Sequence, residues 1–282
     1  MKHTHLETYS RLSPGHNKDE MQEKCVLVTG GGHGIGAAIA KSFAEAGVKE
    51  IVLVGRQQAK LEATVKDLEA YATNTTVHYR VADISSSEDV KNLFDSLQSS
   101  IDILINNAGF LATPENFMDA DLSEYWYGFQ VNVLGTIQVT QSFLRHREKH
   151  GSQQASPALV VTLNTIGAYS VRVPKLSSYG ATKAALARWS ELISVDVPET
   201  TARFISIHPG AVRTEMGIKS GLDGVFPSTD PALAGDFVVW ATSDEAKFLA
   251  GRFAWVNWDI DELIAAKEEI LSKDLLRTSL SE

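Results

Sequence analysis

The stretch KCVLVTGGGHGIGAAIAKSFAEAG, Lys24–Gly47, predicts a strand, a glycine-rich turn and a helix in direct succession. Its first part is a short apolar run rich in β-branched residues, which is typical of a buried strand. After the glycines, apolar residues recur at helical spacing until Gly47, where a helix would end. The run IVLVGR, residues 51–56, then predicts a second buried strand. Together these elements form a βαβ unit, whose crossover is right-handed and whose strands are parallel.

The same alternation continues along the rest of the chain. It predicts further strands at residues 77–83, 101–109, 157–165, 202–210 and 251–258, and helices at about 58–72, 87–97, 123–149, 177–197, 231–242 and 260–271. Such alternation is typical of an α/β protein with a doubly wound parallel sheet, here of about seven strands. We therefore expect one domain over residues 21–282, with a ligand site at the carboxyl ends of the strands. Residues 1–20 are polar, and we expect them to form a flexible extension.

Composition narrows the classes of function. The formal charge is -9 and no cluster of lysine and arginine stands out, which argues against nucleic-acid binding. No apolar run approaches the roughly 20 residues that a membrane helix requires, and the first residues lack the apolar core of a signal peptide. The single cysteine, Cys25, excludes an intramolecular disulfide and metal sites built on cysteine pairs. His3, His5 and His16 have no partners at ligand spacing, so we expect no metal. Without a disulfide, a membrane helix or a signal peptide, we expect a cytoplasmic protein.

Three glycines of the turn, Gly30, Gly34 and Gly36, follow the spacing T-G-x-x-x-G-x-G. The first permits a sharp turn, the second lets the backbone approach a phosphate, and the third allows close packing of helix on strand. The N-terminus of the helix would face the anion. A purely structural turn is the alternative, which the position between a strand and a helix disfavours.

Tyr179 and Lys183 form the second candidate site. If residues 177–197 are helical, side chains four residues apart lie on one face, so the ammonium group sits beside the phenol. A nearby cation favours the phenolate and lowers the pKa of a tyrosine, which would make Tyr179 a general acid or base. In the alternative interpretation, Tyr179 is an amphipathic core residue and Lys183 a solvated surface charge.

Five motifs, in this order and spacing, resemble the short-chain dehydrogenase/reductase family over about residues 24–259. They are TGGGHGIG at Thr29–Gly36, NNAG at Asn106–Gly109, Asn132 in VNVLGT, YGATK at Tyr179–Lys183 and PGAVRT at Pro209–Thr214. The resemblance implies a single-domain Rossmann fold and an oxidoreductase with a nicotinamide cofactor. YSRLSP at residues 9–14 and GRFAWVNWDIDEL at 251–263 most resemble fungal members associated with secondary metabolism.

The resemblance also implies roles for individual side chains. Tyr179 would protonate a substrate carbonyl oxygen, or deprotonate an alcohol, while hydride is exchanged with the nicotinamide. Lys183 would bind the nicotinamide ribose and lower the pKa of the tyrosine. Asn132 would hold a water molecule that links Lys183 to solvent. Alternatively, Asn132 bends its helix through a backbone hydrogen bond.

One position departs from the family pattern. Where relatives carry a catalytic serine, this chain has LNTIGA, and a one-residue insertion puts Thr165 at that place. Its hydroxyl can donate to a developing alkoxide, although its methyl group stiffens χ1 and fills space. We expect Thr165 to replace the serine, with Asn164 or a structural role as alternatives.

Charge at the end of the second strand predicts the cofactor. An acidic residue there would bind a free ribose 2′-hydroxyl and repel a 2′-phosphate. This chain has Gly55 and then Arg56, which can pair with a phosphate, and His33 can add partial positive charge. We therefore expect NADP(H), although Arg56 and His33 could also serve only as loop residues.

The resemblance assigns further backbone and side-chain contacts to the cofactor. These positions are Gly32, Ile35, Asp83, Ile84, Asn106, Asn107, Ala108, Gly109, Pro209, Gly210, Val212 and Thr214. Asp83 can instead cap the next helix, and Pro209 and Gly210 can be plain turn formers. We expect a mostly apolar substrate pocket, closed by residues 111–117, 169, 171–174 and 215–227.

Three hypotheses for function follow. The leading one is an NADP(H)-dependent oxidoreductase that acts on a ketone or secondary alcohol of a small molecule. The second keeps fold and cofactor but catalyses a non-redox isomerisation, dehydration or cyclisation with a changed site around Thr165. The third is a non-enzymatic NADP(H) sensor, which the Tyr179–Lys183 pair disfavours. By resemblance we also expect a homo-dimer or homo-tetramer, paired through the helices at 123–149 and 177–197.

Overall fold

A computed structural model describes the protein over residues 3–70, 72, 74–151, 156–169 and 172–279. The strands are β1 (Cys25–Thr29), β2 (Glu50–Gly55), β3 (Thr76–Val81), β4 (Ile103–Asn106), β5 (Ala158–Leu163), β6 (Ala202–His208) and β7 (Arg252–Trp255). They form one parallel sheet in the order β3-β2-β1-β4-β5-β6-β7. The chain order reverses beside β1, so a crevice opens at the carboxyl ends of β1 and β4.

The helices are α1 (Lys18–Met21), α2 (Gly34–Glu45), α3 (Gln58–Glu69), α4 (Ser87–Asp95), α5 (Leu122–Phe129), α6 (Thr136–His150), α7 (Ser177–Asp196), α8 (Glu215–Lys219), α9 (Pro231–Ala241), α10 (Ile260–Ala265) and α11 (Lys267–Ser272). Short 3₁₀ helices occur at Ser10–Leu12, Pro14–Asn17, Ile166–Ala168 and Lys247–Leu249. This architecture confirms the predicted α/β fold with a doubly wound parallel sheet.

Apolar cores lie on both faces of the sheet, because strand residues alternate between the faces. In β1, Val26 and Val28 belong to the core beneath α2 and α9, whereas Leu27 belongs to the core beneath α4 and α6. Cys25 also lies in the second core and is 4% exposed. Burial raises the pKa of its thiol to about 12, so the cysteine is an unreactive core residue.

Several predicted boundaries shift by a few residues. Helix α3 ends at Glu69, and β3 ends at Val81 because Asp83 accepts from the N–H of Ser85 in a turn. Strand β6 ends at His208, since Pro209 has no N–H to continue the ladder. The final predicted helix is divided into α10 and α11 at Ala266.

The predicted helix at 123–149 continues from α5 to α6 through a π-helical turn at Gln130–Gly135. A π turn inserts an extra residue into a helix and is often found at functional sites. Asn132 lies inside this turn.

The expectation of a flexible N-terminal extension is wrong for residues 3–20, which pack against the domain. Tyr9 and Leu12 join the apolar core, and Leu12 is 1% exposed. The hydroxyl of Tyr9 accepts from the N–H of Ile260 at 3.0 Å, and the hydroxyl of Thr8 donates to Asp236. Sequence reasoning missed this packing because the partners lie more than 200 residues away in the chain.

Two features are absent from the part of the chain that the structure describes. No helix there has the length and apolar character needed to cross a membrane. No group of three or more His, Cys, Asp or Glu side chains in the same ranges has the geometry to hold a metal ion.

Candidate active site

The crevice lies where β1 and β4 end, and hydrogen bonds join the two strand ends. Thr29 Oγ1 accepts from the N–H groups of Asn107 and Ala108, each at 3.1 Å. In return, Asn107 Nδ2 donates to the carbonyl oxygens of Thr29 at 2.9 Å and Gly30 at 3.1 Å. The NNAG motif therefore holds the glycine turn in place.

Two glycines of the turn meet different steric demands. Gly30 has a φ of +66°, a left-handed conformation that other residues rarely adopt. At Gly36, an added Cβ would lie 2.2 Å from the carbonyl oxygen of Gly30 and 2.5 Å from Asn107 Nδ2. Only a residue without a side chain lets α2 begin this close to the end of β1, as the sequence predicts.

Most of the predicted cofactor-binding residues line the crevice. They are Gly30, Gly32, His33, Gly34, Ile35, Gly55, Arg56, Asp83, Ile84, Asn107, Ala108, Gly109, Tyr179, Lys183, Pro209 and Thr214. The structure thus brings together residues from the ends of five strands and from α7. The N-terminus of α2 opens into the same crevice through Gly34 and Ile35.

Four other predicted residues lie behind the crevice wall. Gly36 packs against Gly30, and Val212 is 7% exposed. Asn106 is buried and donates to the hydroxyl of Thr140 at 2.9 Å, so its side chain points into α6. Gly210 has a φ of +78° and shapes the turn after β6.

Charged side chains gather beyond the end of β2. Arg56 Nη1 lies 3.7 Å from Asp83 Oδ2 and donates to the hydroxyl of Tyr127 at 3.2 Å. Lys60 lines the crevice and pairs with Glu215 of α8, with Nζ–O distances of 2.8 and 3.0 Å. Burial, followed by the charge of Lys60, lowers the pKa of His33. The positive charge here therefore comes from Arg56 and Lys60.

Lys60 was missed in the sequence analysis. Its position in the first turn of α3, shortly after the end of β2, is the signal that the sequence offers. Its partner Glu215 lies 155 residues away, and no local pattern indicates that pairing.

Tyr179 and Lys183 lie one turn apart in α7, and Lys183 Nζ is 5.8 Å from the centre of the Tyr179 ring. Tyr179 is half-buried, whereas Lys183 is 5% exposed. Lys183 Nζ donates to the carbonyl oxygen of Leu163 at 2.7 Å. The predicted proximity of the two side chains is therefore present, and Lys183 is not a surface charge.

The expected lowering of the tyrosine pKa is wrong for this arrangement. Burial raises the pKa of Tyr179 to about 12 and lowers the pKa of Lys183 to about 8. Desolvation disfavours the charged form of both groups and is the cause of both shifts. Helical spacing predicts that the two groups meet but does not predict how far the site excludes solvent.

Asn132 connects three elements of the site. Its Oδ1 accepts from the N–H of Phe110 at 2.7 Å, and its Nδ2 donates to the Phe110 carbonyl and the Thr182 hydroxyl, each at 2.9 Å. An added Cβ at Gly109 would lie 3.4 Å from Asn132 Oδ1 and 4.0 Å from Lys183 Nζ. Asn132 thus fixes the loop after β4 against α7, close to Lys183. The alternative of a bond to its own helix is not the contact found for this side chain.

Two neighbouring residues, Asn164 and Thr165, are candidates for the role of the missing serine. The hydroxyl of Thr165 accepts from the N–H of Gly167 at 3.2 Å and begins a 3₁₀ helix. Asn164 is 3% exposed, lines the crevice beside Tyr179 and Lys183, and donates to the Ser206 hydroxyl at 3.1 Å. The geometry therefore favours Asn164 over Thr165 as the polar group nearest the reaction, although the role of either stays a prediction.

A second cavity adjoins the first and shares Tyr179 with it. Its walls come from residues 111–125 and 175–179. They carry four carboxylates, those of Glu115, Asp119, Asp121 and Glu124, and one ammonium group, that of Lys175. The apolar character expected for this region is therefore wrong for these walls.

Among the described residues, the other segments expected to close the pocket do not line the second cavity. Tyr169 packs against Phe253 with ring centres 4.1 Å apart, and burial raises the pKa of its phenol. Met216 of α8 lines the crevice. Val171 lies outside the described residues.

We expect replacement of Lys183 by methionine to stabilise the protein at pH 7 by about 1–3 kcal/mol, because a buried ammonium group is removed. Below pH 8 the folded protein carries the full penalty of that charge. Between about 8 and 10.5 the folded form releases the proton before the unfolded form does, so wild-type stability rises with pH and the difference shrinks. Urea unfolding at pH 7 and 9.5 measures this.

The exposed Lys66 provides the matched control, since Lys66→Met should change stability by less than about 0.5 kcal/mol at both pH values. A Lys183→Met variant that is less stable than wild type at pH 7 would contradict the buried-charge interpretation.

The chain is similar to known proteins over most of its length. The protein-family model described as short chain dehydrogenase matches residues 24–223. "Short chain dehydrogenase mpl6" of Monascus purpureus is 32% identical over 284 aligned residues, which cover 98% of this chain and 94% of that protein. The resemblance to fungal members is thus confirmed.

Two solved structures are also similar. L-sorbose reductase from Gluconobacter frateurii, complexed with NADPH and L-sorbose, has a TM-score of 0.74 at 25% identity, covering 84% of this chain and 96% of that one. 3-ketoacyl-(acyl-carrier-protein) reductase from Brucella melitensis, complexed with NADH, has a TM-score of 0.73 at 25% identity, covering 83% and 96%. With its sheet order, glycine turn and Tyr179–Lys183 pair, the chain belongs to the short-chain dehydrogenase/reductase family of oxidoreductases.

Proposed function

We propose that this oxidoreductase uses NADP(H) to reduce a ketone, or to oxidise a secondary alcohol, with Tyr179 as the general acid or base. The observation that carries the proposal is the place of Tyr179. It lines both the glycine-turn crevice and the second cavity, with Lys183 one turn away. A proton donor at that junction can protonate a substrate in the second cavity while the cofactor lies in the crevice.

The crevice fits a dinucleotide. Glycines replace side chains where a phosphate would approach, and the N-terminus of α2 provides unpaired N–H groups. Arg56 and Lys60 add positive charge beyond β2. When bound, the nicotinamide would supply or accept the hydride.

The protein's own groups would handle the proton. A pKa of about 12 keeps the Tyr179 hydroxyl protonated at neutral pH, as a donor to a carbonyl oxygen must be. As the oxygen becomes an alkoxide, the phenol gives up its proton and the Lys183 ammonium stabilises the phenolate. Asn164 can donate a hydrogen bond to the same oxygen from the crevice wall. Asn132 holds the loop after β4 and is proposed to position the water of a proton relay to Lys183.

The choice of NADP(H) over NAD(H) rests on this chain's own residues, since similar structures contain either NADPH or NADH. Gly55 leaves no carboxylate at the end of β2 to repel a 2′-phosphate. Arg56 is 55% exposed and can turn toward a phosphate, where its planar guanidinium forms paired bonds. Glu215 offsets part of the Lys60 charge and Asp83 part of the Arg56 charge. Arg56, the more exposed of the two cations, is proposed to carry most of the preference.

We propose an uncharged, mostly apolar substrate. The carboxylates of the second cavity would repel an anionic substrate such as a carboxylate or an acyl phosphate. Apolar contact would come from Leu111 and Leu176, which line the second cavity, and from Met216, which lines the crevice. A secondary metabolite fits this description, and a cytoplasmic location stays a prediction.

A non-redox reaction on the same fold is the second candidate. It is favoured by the Thr165 hydroxyl, which is bonded to Gly167 instead of lining the crevice. Product formation by the wild-type protein without net oxidation of NADPH would select this candidate over the first.

Replacement of Tyr179 by phenylalanine should lower turnover by about 100- to 10,000-fold, because the proton donor is removed. The affinity for NADPH should change by less than about threefold. Turnover is measured as NADPH oxidation with a ketone that the wild type reduces, and affinity by NADPH fluorescence. Tyr79→Phe, which removes a hydroxyl paired with Glu62, is the control and should keep full activity. Full activity of Tyr179→Phe would refute the proposed role.

Replacement of Arg56 by alanine should weaken NADPH binding by about 10- to 100-fold, the usual effect of losing hydrogen bonds to a charged group. NADH has no 2′-phosphate, so its affinity should change by less than about twofold. Fluorescence titration with both cofactors measures the difference, and Arg145→Ala, at an exposed position on α6, is the control. Equal losses for NADPH and NADH would rule out a phosphate contact.

A homo-oligomer is proposed from exposed apolar side chains on the two helices expected to pair. Leu122 and Trp126 of α5 are 67% and 61% exposed, and Leu192 and Val195 of α7 are 51% and 80% exposed. We expect sedimentation at micromolar concentration to give a dimer or tetramer, and Val195→Asp to shift it toward monomer. A monomeric wild-type protein would contradict this proposal.

A further inference from the structure

The turn that follows β6 is bonded to a residue from a distant segment. The N–H of Ala211 donates to Thr229 Oγ1 at 3.1 Å, and the N–H of Thr229 donates to the carbonyl oxygen of Ala211 at 3.1 Å. Thr229 is 2% exposed and fills the space beside Gly210, where an added Cβ would lie 2.3 Å from its hydroxyl. We call Pro209–Val212 the PG turn. Its shape depends on this threonine.

Thr229 is in turn bonded to the N-terminal residues. Asn257 Nδ2 donates to Thr229 Oγ1 at 3.1 Å and to the carbonyl oxygen of His5 at 2.7 Å. The N–H of His5 donates to the carbonyl oxygen of Asn257 at 2.8 Å, and the N–H of Asp230 to that of Leu6 at 2.7 Å. Both hydrogens of the Asn257 amide are therefore used to link the N-terminal residues to the support of the PG turn.

The N-terminal residues are held firmly enough to act as that support. We call His3–Leu12 the N-terminal strap. Tyr9 and Leu12 anchor it in the core, and Arg11 binds Glu245 at 2.6 Å and Asp261 at 3.1 Å. These anchors lie outside the link to Thr229, so they can be removed separately from it.

We propose that the N-terminal strap positions the PG turn, through Asn257 and Thr229, for binding of the nicotinamide half of the cofactor. The inference rests on the proposed function, and it takes the PG turn, whose residues the family resemblance assigns to the cofactor, to face the nicotinamide. Pro209, the first residue of the turn, and Thr214, two residues after its end, line the crevice. Loss of the Thr229 hydroxyl leaves the N–H of Ala211 without its partner, so the turn relaxes and the nicotinamide contact weakens. The adenosine end of the crevice, at Arg56 and Lys60, is untouched.

Thr229→Val tests this with a side chain of nearly equal shape. We expect the Kd of NADPH to rise about three- to tenfold, while the Kd of adenosine 2′,5′-bisphosphate, which lacks the nicotinamide half, stays within about twofold. Asn257→Leu should act in the same direction, and Thr229→Ser, which keeps the hydroxyl, should bind both ligands like the wild type. Hydrogen exchange at the Ala211 amide should be faster in Thr229→Val.

Arg11→Ala is the matched control, since it removes two surface ion pairs of the strap and leaves the Tyr9 and Leu12 anchors and the link to Thr229 in place. It should lower the unfolding temperature but leave both Kd values unchanged. Unaltered NADPH binding in folded Thr229→Val and Asn257→Leu, or an equal loss for both ligands, would overturn the inference. If the wild type binds neither ligand, both the proposed function and this inference fail. If the wild type binds both ligands and the variants bind NADPH equally well, only the role of the strap is refuted.

Discussion

A buried ammonium group is the constraint on which the site depends. Lys183 is 5% exposed, and its bond to the carbonyl oxygen of Leu163 joins α7 to the end of β5. An ion in such a position is costly unless its partners are fixed in advance. The surrounding structure provides that fixation, because Asn132 holds the loop after β4 and Thr182 of α7 in one network. The buried ammonium group of Lys183 thus lowers the stability of the fold, but it places a cation beside the phenol of Tyr179.

Local patterns in the sequence predicted the fold well because each strand and helix has its own periodicity. The glycine turn was predictable because the positive φ of Gly30 and the contact of Gly36 with the Gly30 carbonyl oxygen arise within a few residues of chain. Contacts between distant segments were not predictable. The packing of Tyr9 against Ile260, the link from His5 to Thr229 and the pairing of Lys60 with Glu215 depend on the finished fold and leave no local trace.

The sequence predicted which residues form the candidate site better than it predicted their pKa values and orientations. Helical spacing correctly brought Tyr179 and Lys183 together, but spacing does not specify solvation, and solvation determined the direction of both pKa shifts. The choice of Thr165 over Asn164 turned on which side chain faces the crevice at the end of β5. That orientation is set by the Ser206 hydroxyl on the neighbouring strand, which a linear motif does not include.

The N-terminal strap also bears on how the protein is made. Residues 3–12 leave the ribosome well before their partners Thr229 and Asn257, which are more than 200 residues further along the chain. Contacts of such high sequence separation form late, because the intervening chain must already be ordered. The support of the turn beside the crevice therefore forms only after Asn257 has emerged. A nascent chain that stops before that residue would have most of the sheet but an unfinished site.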